Sequence, residues 1–433
     1  MSQNDFNIAN QGFPSFRSDL NNALQALASN NAGAAEPSTT YANQWWYDTT
    51  TGLLKLRNEA NTNWIAPNFG EISNVNITGG TIDGAVIGGV APADVTASSL
   101  VVNGNNYPSA GALSNRNLII NGAMQVAQRG TSSTGVTTGD YYTCDRFQSA
   151  ISNLGAYTVT QEADGPSGFA NSIKMEVTTA DASPAAADWL FLNYTIEGQD
   201  LQQLAKGTAD AKPIVLSFWV KSNKTGTYQV SLQDSDNARM VSGTYTVDVS
   251  ATWEYKTIAV PADTTGAFNN DANASLNIEW WFDSGSDFTG GAVPTAWETL
   301  SNPDRNTGSN VNLADTIGNY IQITGVQLEV GDTATPFEHR SYGQELSLCQ
   351  RYYESGTMYR SGAIATGTSG ISTYNYLVEK RVSSTMTSVG TAFINFTGVV
   401  VNAGIKYFNH YPTGGTSGGQ GRYAINWTAD AEL

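Results

Sequence analysis

The sequence contains very few cysteines and histidines, and this scarcity excludes several classes of enzyme and metalloprotein. Cys144 and Cys349 are its only cysteines, and His339 and His410 are its only histidines. Because the two cysteines are far apart in the chain, they provide neither a disulfide framework nor half of a zinc site, and we expect two buried thiols. Two histidines leave little material for zinc ligation or a Ser/His triad. The sequence also lacks a nucleophile elbow, a phosphate-binding loop, a dinucleotide-binding fingerprint and an HExxH motif.

Charged residues are scarce as well, and those present are mostly acidic. They make up 14% of the 433 residues and give a formal net charge of −17. Nucleic acid is not an expected partner, because the basic face that binds it is missing. No apolar run approaches the roughly 18 residues that cross a membrane, and the start, Met-Ser-Gln-Asn-Asp-Phe, is unlike a signal peptide. We therefore expect synthesis in a cytoplasm without membrane insertion.

The residues that are abundant predict a mostly β protein. Hydrophobic residues make up 40% of the chain and include 10 Trp, 20 Tyr and 15 Phe, enough to build real cores. Asn, Thr, Ser and Gly are frequent, as in all-β proteins with many polar turns. The pattern along the chain divides it into four segments, which are 1–66, 67–112, 113–340 and 341–433.

A five-residue repeat between residues 72 and 91 predicts a shaft of several chains. Isoleucine recurs in one column and glycine in another, at Ile72, Ile77, Ile82, Ile87 and at Gly79, Gly84, Gly89. One isoleucine per repeat buries too little apolar area to offset an ordering cost of roughly 1–2 kcal/mol per residue. We therefore predict an intertwined trimeric β shaft in which the four isoleucines pack between chains. A flexible Gly-rich linker is the alternative.

The N-terminal segment predicts a short helix followed by a β-meander. Phe13, Phe16, Leu20, Ala23 and Leu27 have the spacing of a helical seam that packs on copies of itself, on a docking partner or on its own hairpin. Two strands about a Gly-containing turn follow, and they begin with Gln44-Trp-Trp-Tyr-Asp. This segment is too small to be a domain alone, so it should gain stability from oligomerisation or docking.

Residues 113–340 show the pattern of a jelly-roll-like β-sandwich. Alternation of period two predicts strands at Val215–Val220, Tyr228–Leu232, Trp253–Val260, Leu276–Phe282 and Tyr320–Val330. Turn-forming residues separate them, and one long loop runs from Asp283 to about Asn312. Loops of this length are usually functional or mobile.

The last segment predicts a connector helix and a small β-unit that we call the tip, residues 352–433. The helix begins at Tyr342 and places Leu346, Cys349 and Tyr353 on one face. The tip is rich in aromatic residues and carries five Lys or Arg against four Asp or Glu. It therefore differs from the acidic remainder of the chain.

Several segments resemble those of bacteriophage tail fibres and receptor-binding proteins. Two resemble virion-attachment regions: Phe16-Arg-Ser-Asp-Leu-Asn-Asn-Ala-Leu-Gln-Ala-Leu-Ala and Gln44-Trp-Trp-Tyr-Asp-Thr-Thr-Thr-Gly-Leu-Leu-Lys. Two flank the predicted sandwich, which in this family resembles a carbohydrate-binding module: Asn117-Leu-Ile-Ile-Asn-Gly-Ala-Met-Gln-Val-Ala-Gln-Arg-Gly with Cys144-Asp-Arg-Phe, and Gly325-Val-Gln-Leu-Glu-Val-Gly-Asp-Thr-Ala-Thr-Pro-Phe-Glu-His-Arg-Ser-Tyr-Gly-Gln-Glu-Leu-Ser-Leu-Cys-Gln-Arg-Tyr-Tyr-Glu. The ending Trp427-Thr-Ala-Asp-Ala-Glu-Leu is also typical of such tips.

This resemblance implies an elongated homotrimer in the virion, with the N-terminus on a phage tail or baseplate protein. The side chains that it places in virion attachment are Phe13, Phe16, Leu20, Leu27, Trp45 and Trp46. The expected partner at the other end is a polysaccharide or lipopolysaccharide of the host cell surface. The acidic body favours either a neutral sugar or divalent cations that bridge to an anionic surface.

Candidate receptor-contact residues lie in the sandwich and in the tip. Trp280 and Trp281 are adjacent on a strand and point to opposite faces, so one is core and the other, taken as Trp281, is either a sugar platform or covered by a loop. Trp297 is either a platform or an anchor for the long loop. In the tip, aromatic and hydrogen-bonding side chains flank a Gly-rich stretch from Gly414 to Gly421, a mixture that suits a polar ligand. These tip candidates are Tyr407, Phe408, Asn409, His410, Tyr411, Arg422 and Tyr423.

Metal binding and catalysis have weaker signals. The acidic turns at Asp234 and Asp283 could offer oxygen ligands to Ca²⁺, but they lack the full spacing of a known loop, and ordinary turns are favoured. Glu298 and Asp304 could in principle act as an acid and base on a glycan. The repeat is too short for the long β-helix on which phage depolymerases usually build that site. The sequence thus favours a glycan-binding fibre without catalysis over a purely structural fibre and, less favoured, a depolymerase.

Overall fold

The protein is mostly β in a computed structural model. The structure describes residues 3–8, 10–66, 100–102, 105–107, 115–363, 372–396, 398–413 and 420–433. The isoleucine repeat, from which an intertwined trimeric shaft is predicted, lies outside these residues. Two compact units are present, Met1–Asp94 and Val95–Leu433. Among the described residues, no helix combines the length and the apolar character needed to cross a membrane.

The first unit contains the predicted helix and meander. Its elements are α1 (Phe13–Ala28), β1 (Trp45–Asp48), β2 (Leu53–Arg57) and β3 (Trp64–Ile65), and the three strands form an antiparallel sheet. The helix buries Ala23 and Ala26, whereas Phe13 is 75% exposed and Leu27 is 67% exposed. The large apolar side chains of the predicted seam thus face outward within this unit.

The tryptophans of the meander have different surroundings. Trp45 is partly exposed, whereas Trp46 is buried against Trp64, with ring centroids 5.2 Å apart. The indole N–H of Trp46 also donates to the Gly33 carbonyl at 3.3 Å. Trp46 is therefore a core residue of the unit.

The second unit begins with a small hairpin and continues into one large antiparallel sheet. The hairpin strands β4 (Leu100–Val102) and β5 (Asn105–Tyr107) flank the predicted Asn-Gly turn, whose two residues lie outside the described part. The strands of the large sheet are β6 (Ser132–Asp140), β7 (Phe147–Glu162), β8 (Ser172–Thr179), β9 (Trp189–Glu197), β10 (Ile214–Ser222), β11 (Gly226–Asp234), β12 (Arg239–Val247), β13 (Glu254–Val260), β14 (Ala274–Ser284), β15 (Glu298–Thr299) and β16 (Tyr320–Val330). All five strands predicted from period-two alternation are confirmed.

The large sheet curls so that its two halves face each other as a β-sandwich. Its strand order is β13-β10-β16-β8-β7-β9-β14-β11-β12-β15, and β6 lies off this path, paired with β7. Strand β7 belongs to both halves, because residues 147–152 pair with β9 and residues 156–162 pair with β8. Phe218 of one half packs against Trp280 of the other, with ring centroids 5.9 Å apart. The inward-facing side chains of both halves thus form one core.

The tip consists of two three-stranded sheets that share an aromatic core. Its strands are β17 (Tyr353–Ala363), β18 (Ser372–Asn375), β19 (Thr385–Ile394), β20 (Gly398–Ala403), β21 (Tyr407–Thr413) and β22 (Gln420–Asp430). The sheet orders are β17-β22-β19 and β18-β21-β20. The connector helix α2 (Tyr342–Gln350) is capped by the Ser341 hydroxyl and ends earlier than predicted. Tyr353 therefore begins a strand instead of continuing the helical face.

A buried polar network joins the tip to the sandwich. The Arg146 guanidinium is 1% exposed, lies 3.5 Å from the centre of the Tyr352 ring and forms an ion pair with Glu432. Arg129 binds Asp430 at 3.0 Å and Glu432 at 3.3 Å. Because buried charges are costly unless they are paired and hydrogen-bonded, this network fixes one arrangement of tip and sandwich.

The two flanking segments that carry the family resemblance meet at this joint. The main-chain N–H of Asn121 donates to Glu345 at 2.7 Å, and Arg340 donates to the Ile119 carbonyl at 3.0 Å. The Gln128 side chain donates to the Tyr353 carbonyl at 2.8 Å. The resemblance therefore lies largely in residues that hold the second unit together.

Both cysteines are free and buried, as predicted. Burial raises the pKa of each thiol, and the charge of Asp145 raises it further. Neither cysteine is therefore a reactive thiolate at neutral pH.

Candidate functional site

An open groove lined by aromatic side chains crosses the outer face of one half of the sandwich. It has a volume of about 560 Å³, and its floor lies over β10 and β13. A second depression of about 260 Å³ continues it along β13 and shares Tyr255 and Ala334 with it. We call the two together the sandwich groove.

Two aromatic side chains form the floor of the sandwich groove. Trp219 and Tyr255 are directly paired across β10 and β13, with ring centroids 5.3 Å apart. Phe218 and Val220 point into the core, so the pleat turns Trp219 outward. Trp219 is half-buried and Tyr255 is 43% exposed. Burial raises the pKa of Tyr255, although a hydrogen bond with Ser217 opposes the shift, so the phenol is neutral at physiological pH.

Three more rings form one wall of the groove. Phe169 comes from the loop between β7 and β8, whereas Phe337 and His339 come from the segment after β16. The ring centroids of Phe169 lie 5.0 Å from Phe337 and 5.2 Å from His339, and those of Phe337 and His339 are 4.8 Å apart. His339 is exposed at the rim. The groove thus presents aromatic surface on both its floor and its wall.

Buried polar contacts hold this wall in place. The Glu329 carboxylate accepts hydrogen bonds from the main-chain N–H and the hydroxyl of Thr335, at 2.8 and 2.6 Å. The Gln327 side chain accepts from the main-chain N–H of Glu338 at 2.8 Å. Because Gln327 and Glu329 lie on a central strand, these contacts fix the wall to the sheet.

A bulge in β16 lets the rings come together. The register between β10 and β16 shifts opposite Phe218, and Gly325 there has a φ of +61°. A Cβ atom on Gly325 would lie 2.9 Å from atoms of both the Phe169 and the Trp219 rings. Glycine adopts this left-handed backbone angle without steric cost and leaves room for the ring contact.

We expect Gly325→Ala to lower the free energy of unfolding by about 2–4 kcal/mol, because it adds overpacking to an unfavourable backbone angle. Gly318→Ala is the matched control, since Gly318 has a φ of +83° but open space around it. That control should cost only about 1 kcal/mol in urea denaturation. If both variants lost the same free energy of unfolding, the added Cβ atom at position 325 would cause no overpacking against the two rings.

A polar cluster surrounds Lys221, which follows Trp219 on the same face of β10. Lys221 binds Asp164 at 2.8 Å, and the Trp253 indole N–H donates to the same carboxylate at 3.5 Å. The hydrogen bond from Lys221 lowers the pKa of Asp164, although burial opposes this. Asp164 is therefore ionised at neutral pH, and both of its carboxylate oxygens accept hydrogen bonds within the fold.

The adjacent tryptophans that the sequence singled out are both fully buried. Trp280 belongs to the sandwich core, and Trp281 lies on the outer face of the other half, under the long loop. Phe288 of that loop packs on Trp281 with ring centroids 5.2 Å apart, and the Arg305 guanidinium lies 5.0 Å from the ring. Of the two alternatives for Trp281, a sugar platform or a ring covered by a loop, the second is correct. Trp281 offers no free face to a ligand.

Trp297 anchors the long loop to the edge of the sandwich. Its indole N–H donates to the Pro261 carbonyl at 3.0 Å, and the Lys206 ammonium lies 4.9 Å from its ring centre. The ring also packs against the sandwich core. Trp297 is therefore an anchor for the long loop and not a sugar platform.

The tip candidates divide into core residues and surface residues. Phe408, His410 and Tyr423 are buried in the core between the two sheets, and the Tyr423 hydroxyl contacts the His410 ring at 2.5 Å. This corrects their expected exposure, since Phe408 and His410 lie on the inward face of β21 and Tyr423 lies on the inward face of β22. The remaining candidates reach solvent wholly or in part: Tyr407, Asn409, Tyr411 and Arg422. Residues 414–419 of the Gly-rich stretch lie outside the described part.

The acidic residues considered for metal binding or catalysis are mostly engaged within the fold. Asp234 forms an ion pair with Lys206 at 2.5 Å, and Asp283 accepts from the main-chain N–H of Ala314 at 2.9 Å. Asp304 accepts from the main-chain N–H of Ala292 at 2.6 Å, whereas Glu298 is exposed on β15. Within the described ranges, no three His, Cys, Asp or Glu side chains are grouped as a metal site.

The sandwich groove was not predicted from the sequence. One signal was present, because alternation through Val215–Val220 places Trp219 on the outer face of a strand whose other face is core. The remaining lining residues come from three separate segments, and no spacing in the sequence links Phe169, Tyr255 and Phe337.

Comparisons with known proteins are limited to weak structural similarities. The sequence matches no protein-family model and no curated protein. One similar structure is the enzymatically active domain of tailspike protein 4 from bacteriophage CBA120, with 14% identity and a TM-score of 0.25; the match covers 49% of this chain and 21% of that one. A second is TmCBM61 in complex with β-1,4-galactotriose, with 8% identity, a TM-score of 0.25, and 50% of this chain and 99% of that chain covered. A third is the CBM22-1 and GH10 part of Clostridium thermocellum xylanase 10B, complexed with xylohexaose, with 12% identity, a TM-score of 0.26, and 50% and 29% covered. TM-scores this low do not establish a common fold.

Proposed function

We propose that this protein is the adhesin of a bacteriophage tail fibre, which binds a glycan of the host cell surface without cleaving it. In this proposal the N-terminal unit attaches to a tail or baseplate protein of the virion, and the isoleucine repeat assembles three chains. The sandwich and the tip then contact the host. Three weak sites per fibre raise the effective affinity by avidity.

The observation that carries the proposal is the sandwich groove. Sugar rings have apolar faces that stack on aromatic side chains, and their hydroxyl groups need polar partners nearby. Trp219 and Tyr255 supply the stacking surface, and the exposed His339 lies at the rim. The groove is open along β13, so it suits an extended polysaccharide better than an enclosed small molecule.

The test is staining of host cells by the fluorescently labelled full chain, together with competition against adsorption of the whole phage. Tyr255→Ala should weaken staining about tenfold, because the loss of one stacking contact and its buried area costs roughly 1–2 kcal/mol. Tyr342→Ala is the matched control, since Tyr342 is 57% exposed on α2 and outside the groove.

The outcomes separate the three functions considered from the sequence. Saturable staining that blocks adsorption and falls with Tyr255→Ala supports the adhesin. If a sample shown to be folded neither stains the cells nor blocks adsorption, a purely structural fibre is favoured. Release of new reducing ends from the bound polysaccharide favours a depolymerase.

A further inference from the structure

The acidic residues of the tip are all neutralised within the fold. Each of its four carboxylates forms an ion pair: Glu354 with Lys380, Glu379 with Lys406, Asp430 with Arg129, and Glu432 with Arg129 and Arg146. Arg129 and Arg146 belong to the sandwich. Two of the four negative charges are therefore compensated from outside the tip, at the joint.

At the end of the tip away from the sandwich, positively charged side chains outnumber negatively charged ones. Lys380 and Lys406 are paired within the tip, and Arg381 donates to the main-chain carbonyls of Ala272, Ala431 and Glu432 at the joint. Arg360 and Arg422 form no ion pair with any residue in the described ranges. The undescribed stretches of the tip contain no charged residue, so these two guanidinium groups set the local charge.

Arg422 lies in a depression on the outer face of the β17-β22-β19 sheet. This tip depression has a volume of about 390 Å³. Arg422 is directly opposite Ser361 on one neighbouring strand and Ile394 on the other, and the next row brings Tyr359 to the same face. Tyr359 is 76% exposed, Ile394 is 53% exposed, and none of the described residues that line the depression is acidic.

Arg360 adds to the positive field from the adjacent strand position. It is paired with Tyr423 across the sheet and donates a hydrogen bond to the Ser372 hydroxyl. Burial lowers the pKa of His410, and the charge of Arg360 lowers it further, so this imidazole is neutral at pH 7. The positive charge here therefore comes from the two arginines.

We propose that the tip depression is a subsite for an acidic sugar, with Arg422 bound to its carboxylate or phosphate and the sugar ring stacked on Tyr359. The proposal rests on the glycan-binding function proposed above and assigns it a ligand class. Arg binds such groups through paired N–H donors, and an aromatic ring next to the guanidinium suits the sugar's apolar face. The net charge of −17 does not oppose this contact, because fields are screened beyond about 8 Å at physiological salt.

The test measures binding of the full chain to polysaccharides that carry uronate or phosphate groups. Each is compared with its own neutral form, obtained by carboxyl reduction or dephosphorylation. At least one acidic polymer should bind about tenfold more tightly than its neutral form, because a charged hydrogen bond contributes that much. Arg422→Gln should remove most of this preference, and Tyr359→Ala should weaken binding of both forms. Lys212→Gln is the control, since it removes an exposed charge of the sandwich that forms no ion pair among the described residues.

Three results would overturn the inference. The first is that no acidic polymer binds more tightly than its neutral form. The second is that Arg422→Gln and Lys212→Gln behave alike. The third is that Arg422→Gln or Tyr359→Ala changes the oligomeric state in light scattering, which would make this face a contact between copies. Binding of a neutral form that falls with Tyr255→Ala would leave the proposed function standing in each case.

Discussion

Arg146→Met is expected to lower the free energy of unfolding by about 3–5 kcal/mol, because it leaves a buried carboxylate without its closest partner. The Glu432 side chain is 5% exposed, and Arg146 also donates to the Thr195 carbonyl at 2.6 Å. Its guanidinium stacks on Tyr352 as well. A methionine fills much of the volume but replaces none of these contacts. Urea denaturation measures the loss.

A matched ion pair on the surface of the tip provides the control for Arg146. Lys406 binds Glu379 at 3.5 Å with both side chains at least half exposed, so Lys406→Met should cost less than about 1 kcal/mol. Arg146→Met with Glu432→Gln should be less destabilised than the sum of the single variants, because the two groups share one interaction. If Arg146→Met were as mild as Lys406→Met, the joint would not depend on this pair.

Asp283→Asn is expected to stabilise the protein at pH 8, by about 2–4 kcal/mol. Asp283 is 1% exposed, and its Oδ1 accepts no hydrogen bond from any residue in the described part of the chain. Burial, and after it the charges of Asp315 and Asp181, raise the pKa of Asp283 to about 7. The charged carboxylate is thus held in an unfavourable place above that pH, and the amide removes the charge without changing the shape.

The pH dependence of unfolding identifies this effect. In the unfolded chain an aspartate has a pKa of about 3.9, so the folded protein binds the proton more tightly. Stability should therefore fall as pH rises from about 4 to 7, and Asp283→Asn should flatten this part of the profile. Asp164→Asn is the control of opposite sign, since the lowered pKa of Asp164 contributes stability that is lost on acidification. A destabilised Asp283→Asn protein at pH 8 would mean that the carboxylate is held by a favourable contact.

Local patterns were sufficient to predict the elements of the sandwich. Alternation of period two identified β10, β11, β13, β14 and β16, because each has one face in the core. The same alternation explains the errors in the tip. Phe408 and His410 are predicted as surface groups. Both instead lie on the face of β21, the central strand of its sheet, that packs into the core of the tip.

The candidate site was not predictable from local patterns, because it is assembled by tertiary packing. Trp219 and Tyr255 are paired through strand register, whereas Phe169 reaches them only because a bulge places Gly325 between the rings. The burial of Trp281 likewise depends on how the long loop folds back onto its own sheet. Register, bulges and loop docking are set by distant residues, and sequence spacing does not record them.

The most direct test of the central claim is a comparison of the wild-type full chain with Trp219→Ala on an array of bacterial surface polysaccharides. We expect binding of at least one polysaccharide, a loss of affinity of about tenfold or more with Trp219→Ala, and no loss with the control Tyr342→Ala. Undiminished binding by a folded Trp219→Ala protein would contradict the assignment of the sandwich groove as the glycan site.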